Sequence, residues 1–179
     1  PKDSSVFDYF YDPKEEEWIA WDTLVKPYEY QPIGWGPGQT DFSFIYITYA
    51  DTVKNERILE LCVEFQQPIC LVGLAGTGKT AAVQKYLSER DPEFYSDSVI
   101  DVNFYTEHRD IQYAVESVID KRSGRIFGPA PGKKMIYYLD DLNLPEIEEF
   151  GTQNALSMLR MIMDLKTFYD REDLSFRKE

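Results

Sequence analysis

The sequence predicts an α/β protein, a three-layer parallel sheet built from βαβ units and preceded by an aromatic β-hairpin. Three observations carry that expectation. From residue 51 onward, short apolar runs alternate with stretches of helical periodicity. The glycine-rich stretch Gly73-Leu74-Ala75-Gly76-Thr77-Gly78-Lys79-Thr80 joins one apolar run to an amphipathic helix. A second apolar run, Met135-Ile136-Tyr137-Tyr138-Leu139, ends in two acids, Asp140 and Asp141.

Two regions differ in texture. Residues 1–50 are aromatic and turn-rich and read as a hairpin and connector, while 51–179 read as the α/β domain. In the first region, residues 6–11 and 17–21 flank the turn formers Asp12-Pro13-Lys14-Glu15. That predicts a hairpin with a longer loop, pinned to a neighbouring surface by Trp18 and Trp21. Residues 31–38, rich in Gly and Pro, read as a loop. Residues 42–49 read as a strand, with Phe42, Phe44, Tyr46 and Thr48 on one face and Ile45 and Ile47 on the other. Without basic residues beside them, these aromatics read as packing residues and not as stacking platforms for bases. The same holds for Tyr9, Tyr11, Tyr28 and Tyr30.

In the second region, a helix over about 51–65 places Ile58, Leu61, Cys62 and Phe65 on one buried stripe. Pro68 then introduces Ile69-Cys70-Leu71-Val72, a continuous apolar run that suits a strand buried on both faces. A helix from Lys79 to Arg90 is stopped by Asp91-Pro92. Strands follow at 98–104 and 135–139, separated by a helix over 107–121 that buries Ile111, Ala114, Val115 and Val118. Gly128-Pro129-Ala130-Pro131-Gly132 is a turn, and a last helix over 152–165 buries Ala155, Met158, Leu159 and Ile162. Met158, Met161 and Met163 read as core residues of that helix.

Composition narrows the function. The chain of 179 residues, 43% hydrophobic and 15% aromatic, is that of a folded domain with one substantial core. No apolar run is long enough to span a bilayer, and the start lacks a signal-peptide pattern. A net charge of −13 repels phosphate backbones and anionic lipid, which argues against nucleic acid and membrane as partners. Cys62 and Cys70 lack a ligand-type spacing and read as buried free thiols of a reducing compartment. His108 has no ligand cluster around it and reads as a surface or helix-start residue. The absence of an initial Met suggests a fragment of a longer chain.

The chemistry sits in two motifs. The pattern G-x-x-x-x-G-K-[ST] needs glycines so that successive backbone N–H groups converge on an anion without obstruction. The following helix N-terminus adds partial positive charge. Lys79 then reaches the β- and γ-phosphates, and the Thr80 hydroxyl becomes a Mg²⁺ ligand, so the loop reads as a P-loop that takes ATP or ADP with Mg²⁺. The alternative, a glycine turn with an incidental lysine, does not account for the flanking strand and helix. Asp140, at the end of an apolar strand, is placed to hold the metal (the Walker B element), and Asp141 follows where many ATPases keep a water-polarising acid. The two could instead only end a strand. The glycine loop about sixty residues upstream, room for one intervening βα unit, favours the functional reading.

Together these motifs resemble the AAA+ branch of P-loop NTPases. Three further segments are similar to the third AAA+ module of a dynein heavy chain, of axonemal more than cytoplasmic type. They are Val6-Phe7-Asp8-Tyr9-Phe10-Tyr11-Asp12 with Trp18 and Trp21, Asp120-Lys121-Arg122 leading to Phe127-Gly128-Pro129, and Leu139-Asp140-Asp141-Leu142-Asn143-Leu144-Pro145 followed by Gly151-Thr152-Gln153. The resemblance implies a C-terminally truncated AAA+ large subdomain in a ring-shaped microtubule motor of the cytoskeleton, in a cilium or flagellum axoneme. In it the module binds ATP and gates the main hydrolysing site. It implies residues 73–80 on the phosphates, Asp140 on Mg²⁺, Asp141 and Lys79 in catalysis, and Ile47, Thr48 and Val53 near adenine. It also implies adjacent AAA+ modules and other dynein subunits as partners, with microtubules met only through other parts of the full protein.

The resemblance also implies that sensor residues, an arginine finger and a central strand lie past Glu179. On that expectation the chain alone is marginally stable or self-associates, and its own catalysis is absent. The competing readings are a nucleotide-sensing structural module that does not turn over, and another hexameric AAA+ ATPase or a small P-loop enzyme such as a nucleotide kinase. The last needs basic lid residues, and no arginine cluster supplies them.

Overall fold

The computed structural model describes residues 5–29 and 45–178. The expected loop at 31–38, residues 42–44 of the expected strand, and Tyr30 lie outside them. The chain divides into two compact units, Pro1–Ser88 and Glu89–Glu179; the boundary expected near residue 50 falls inside the first. No helix among the described residues is long and apolar enough to cross a membrane.

The first unit opens with the hairpin β1 (Tyr9–Asp12) and β2 (Glu17–Ala20), antiparallel with Tyr9 opposite Ala20. Trp21 is 8% exposed and stacks on Phe10 with ring centroids 4.6 Å apart. Trp18, expected to pin the hairpin as well, is instead 62% exposed and meets the ring of Tyr11 edge-on. Tyr11 and Tyr28 are likewise exposed and not packed as expected. Residues 45–49, expected as strand, join no ladder among the described residues and are irregular.

Helix α1 (Ala50–Glu64) buries Thr52 and Leu59, and the expected stripe of Ile58, Leu61 and Phe65 faces solvent. Polar pairing explains the rotation. The Tyr49 N–H donates to Thr52 Oγ1 at 2.8 Å, and that hydroxyl donates to the Tyr49 carbonyl at 2.7 Å. One turn on, Glu56 accepts from Lys85 of helix α2 (Lys79–Ser88) at 2.8 Å, in a half-buried pair. These bonds fix which face meets α2, whose own buried residues are Ala82, Val83, Tyr86 and Leu87. At the end of α1, Gln66 N–H bonds to Val63 O and Gln67 N–H to Cys62 O, with Gln66 left-handed at φ 53°. Glycine usually fills that position. Pro68 follows.

The run Ile69-Cys70-Leu71-Val72 corrects the expectation most sharply. Among the described residues it pairs with no strand, and Val72 is 89% exposed. Apolar continuity supplies faces to bury, but a strand needs ladder partners as well. Cys70 is exposed and Cys62 half-buried, so the thiols are free but not both buried.

The second unit is built on two parallel strands, β3 (Tyr95–Asp101) and β6 (Lys134–Asp140), in register from Tyr95 opposite Lys134 to Asp101 opposite Asp140. The first strand begins and ends three residues before the expected bounds. Asn103 Oδ1 accepts the Tyr105 N–H and Thr106 Oγ1 the Asn103 N–H, so a self-bonded turn replaces its last residues. Helices α3 (His108–Glu116) and α4 (Asn154–Leu165) cover one face, where Ile100 and Val102 meet Ile111, Val115, Ala155 and Met158. Val99, on the opposite face, is 49% exposed. Within this unit both helices therefore pack on the same side of the β3–β6 pair. The buried stripes of α3 and α4 are those the periodicity predicts, with Met163 exposed and not core.

Helix α3 stops at Glu116, short of the expected Lys121. Ser117 Oγ donates to the Ala114 carbonyl at 2.8 Å, and Ile119 turns inward to the core. The chain then forms β4 (Asp120–Ser123) and β5 (Ile126–Gly128), and after α4 come β7 (Thr167–Tyr169) and β8 (Phe176–Lys178). These make a second sheet in the order β4-β5-β8-β7, no strand of which was expected.

Arg177 fastens that sheet to α3. Its Nε donates to Asp170 at 2.9 Å, its Nη1 lies 3.4 Å from Glu116, and its guanidinium lies 4.9 Å over the Phe127 ring. Buried Gln112 completes the clasp, donating to Glu116 at 2.7 Å and to the Tyr169 carbonyl at 2.9 Å.

Three stability predictions follow from these contacts. Ile111→Ala, at a fully buried site, lowers the unfolding free energy by about 2–5 kcal/mol in denaturant titration. Gln66→Gly raises stability by about 0.5–1 kcal/mol, since it relieves a left-handed non-glycine; a loss would contradict the helix-end assignment. The third concerns acid. The Asp170 carboxyl is held below the usual carboxylate range, first by the Glu172 N–H and then by Arg177. A depressed native pKa adds stability above the unfolded value of about 4, and that stability disappears as pH falls through the native value. The urea midpoints of the wild type and Arg177→Met therefore differ at neutral pH and draw together in acid, and a constant gap excludes the ion pair as the cause.

Candidate functional site

The loop at residues 73–80 is shaped by its glycines. Gly76 and Gly78 are left-handed at φ 75° and 78°. Left-handed residues alternating with ordinary ones turn successive amides into a concavity that suits anions. At Gly73, a Cβ would lie 3.3 Å from Thr77 Oγ1, so this position too favours a bare backbone. The Ala82 N–H bonds to the Gly78 carbonyl at 2.9 Å, which seats the first turn of α2 directly on the loop.

Lys79 is folded back over the loop. Its ammonium donates to the Gly73 and Leu74 carbonyls at 3.0 and 2.8 Å and lies 3.5 Å from Thr77 Oγ1. Thr77 in turn donates to the Leu74 carbonyl at 2.9 Å. The loop itself is exposed, while Lys79 and Thr80 are half-buried in the first turn of α2. A phosphate fits this arrangement: charged oxygens are stronger acceptors for the ammonium than the neutral carbonyls it now uses. The helix N-terminus adds its own favourable field.

The residues expected near adenine belong to the same unit. Ile47 is 59% exposed, the Thr48 hydroxyl donates to the Lys26 carbonyl at 3.3 Å, and Val53 is half-buried in the first turn of α1. Next to them, Tyr46 lies under the Lys85 ammonium, 4.9 Å from the ring centroid. Burial, and then the nearby Glu56 carboxylate, push its hydroxyl above the usual phenol range.

The carboxylates belong to the second unit. Asp140 is the last residue of β6, half-buried, and its carbonyl accepts the Val102 N–H at 3.2 Å. Asp141 is exposed and left-handed at φ 55°, with its N–H 3.1 Å from Asp140 Oδ1. The Glu146 N–H donates to the Phe104 carbonyl at 3.0 Å, joining the loops that leave β3 and β6. Ligands of open α/β sheets bind in the crevice beyond such carboxyl ends.

One carboxylate was missed. Asp101 ends β3 and stands opposite Asp140 in the ladder. The expected strand bounds of 98–104 left it mid-strand, and ending that strand at the acid would have exposed it by the same rule that found Asp140. Among the described residues, no three His, Cys, Asp or Glu side chains converge on a metal-sized site.

A family described as the P-loop containing dynein motor region matches residues 36–178. The chain is similar to dynein axonemal heavy chain 9 of Homo sapiens, 32% identical over 178 residues, 99% of this chain and 4% of that protein. It is similar to dynein axonemal heavy chain 2 of Homo sapiens, 34% identical over 172 residues, 96% of this chain and 4% of that one. The ciliary dynein beta chain of Tripneustes gratilla is 30% identical over 178 residues, with 99% of this chain and 4% of the relative covered. The chain thus spans 4% of the length of each of these relatives.

Gly78→Ala tests the loop geometry. No atom lies within 4 Å of the added Cβ, so the cost is conformational, about 1–2 kcal/mol. Faster amide exchange at the start of α2 is the expected readout; unchanged exchange would mean the left-handed turn is not required.

Proposed function

The chain belongs to the P-loop-containing dynein motor family, and from that premise we propose that it is the third AAA+ module of an axonemal-type heavy chain. It takes up ATP with Mg²⁺ and regulates the main hydrolysis site of the ring. The observation that carries this reading is the left-handed glycine loop with Lys79 folded over its own carbonyls.

In this reading the backbone amides of residues 73–80 hold the phosphates and Lys79 leaves the Gly73 and Leu74 carbonyls for phosphate oxygens. Thr80 and Asp140 would hold Mg²⁺. A bound Mg²⁺ supplies neutralisation of phosphate charge. Asp141 orients water for attack, and Ile47, Thr48 and Val53 flank the base. Adjacent AAA+ modules of the same heavy chain and other dynein subunits are the partners. Microtubules are met through other parts of the full protein, in the cytoskeleton of a cilium or flagellum. The −13 charge supports that division, since acidic surfaces repel one another.

A second reading, a module that senses nucleotide without turning it over, draws support from Asp141. Its side chain is short, exposed and carried on a left-handed backbone, a slack support for an attacking water.

Calorimetry with ATP or ADP and Mg²⁺ tests the site. Lys79→Ala weakens binding by about tenfold or more, in keeping with the loss of charge-assisted bonds; equal affinity would remove Lys79 from it. Asp141→Asn in the intact heavy chain separates the two readings. Slower single-turnover hydrolysis at this module supports catalysis, and an unchanged rate supports the sensor.

A further inference from the structure

We infer that the exposed edge of β4 and its hairpin tip form a docking strip for an acidic, extended segment of a partner polypeptide. The strip belongs to the second unit and the nucleotide loop to the first. Between Asp120 and Asp140 the sequence carries five cations, Lys121, Arg122, Arg125, Lys133 and Lys134, and no acid. That contrasts with a chain of 32 acidic and 19 basic residues.

The fold concentrates part of this run on a strand edge. β4 is the outer strand of its sheet and all four of its residues are exposed, so its outward N–H and C=O groups are open to another chain. The register slips between Lys121 and Ser123, which makes Arg122 the bulged residue. The Arg122 side chain lies across Gly128, where a Cβ would meet its Nε at 3.5 Å. Arg125 sits in the turn, beside left-handed Gly124, and faces Asp173.

The charge of Lys121 and Arg122 is unspent. Lys85 and Arg177 are matched by carboxylates. Among the described residues, neither Lys121 nor Arg122 has an ion-pair partner. The chain's negative total does not cancel the patch: at physiological ionic strength charges beyond about 8 Å are largely screened, while contact pairs survive. An acidic segment lying along β4 would gain ladder bonds from the open edge and ion pairs from Lys121 and Arg122, as in strand addition.

Charged edge strands also guard against self-pairing, and the experiment separates the two roles. A fluorescent peptide of alternating Glu and Val is titrated into the full chain, and binding is followed by anisotropy. The expected result is saturable binding that weakens about tenfold or more on raising salt from about 0.15 to about 1 M. Lys121→Glu with Arg122→Glu abolishes it, the variant retaining the wild-type circular dichroism. Lys79→Ala binds the peptide like wild type. No binding, equal binding of the Gln-for-Glu peptide, or indifference to Lys121→Glu with Arg122→Glu would overturn the proposal. So would binding of inorganic polyphosphate with none of the peptide, which would mean a phosphate site.

Discussion

The demand that backbone amides and carbonyls find partners decides more of this chain than hydrophobicity does. The glycine loop meets it with an ammonium: Lys79 serves the carbonyls of Gly73 and Leu74. The end of α1 meets it by forcing Gln66 left-handed so that Val63 and Cys62 are capped. β3 and β6 meet it along their whole length, and that ladder brings Asp101 and Asp140 to the same end. Where no partner is at hand, apolar residues 69–72 stay irregular.

The same demand shows what sequence reasoning could and could not read. α3 and α4 were legible because their buried residues recur at a single helical spacing, Ile111 to Val118 and Ala155 to Ile162. The turn glycines and the acid after β6 were legible because local backbone geometry requires them. α1 was not: apolar residues surround it, and the choice of face falls to Thr52 and to Glu56 pairing with Lys85. The four short strands of the second sheet were invisible for a related reason. Asp120–Ser123 is wholly polar and pairs, through a register slip, with β5 just past the turn, so no apolar alternation marks it. Asp101 was lost to a boundary error of three residues, not to missing chemistry.

Arg177 gives the second unit its connection between layers. It gathers Asp170 and Glu116 against the Phe127 ring, while Gln112 carries the link to the Tyr169 carbonyl. A helix that follows β3 is thereby tied to a hairpin that follows α4, with Phe168 sealed beneath. By contrast, β5 meets β8 at a single register pair, Ile126 with Lys178. The β5–β8 seam is therefore the narrowest in that sheet, and Phe127, packed against the core under Arg177, carries the hairpin's hold on the rest of the unit.

The left-handed backbone at Asp141 has a consequence for which residues the position tolerates. Aspartate and asparagine enter that region at low cost because their short side chains bond to nearby backbone; longer or branched side chains do not. Lengthening this acid to glutamate would therefore change two variables together, the reach of the carboxylate and the preferred backbone angle. Evolution or a designer seeking a longer acid here must first relax the turn after β6, so the two traits are inherited as a pair.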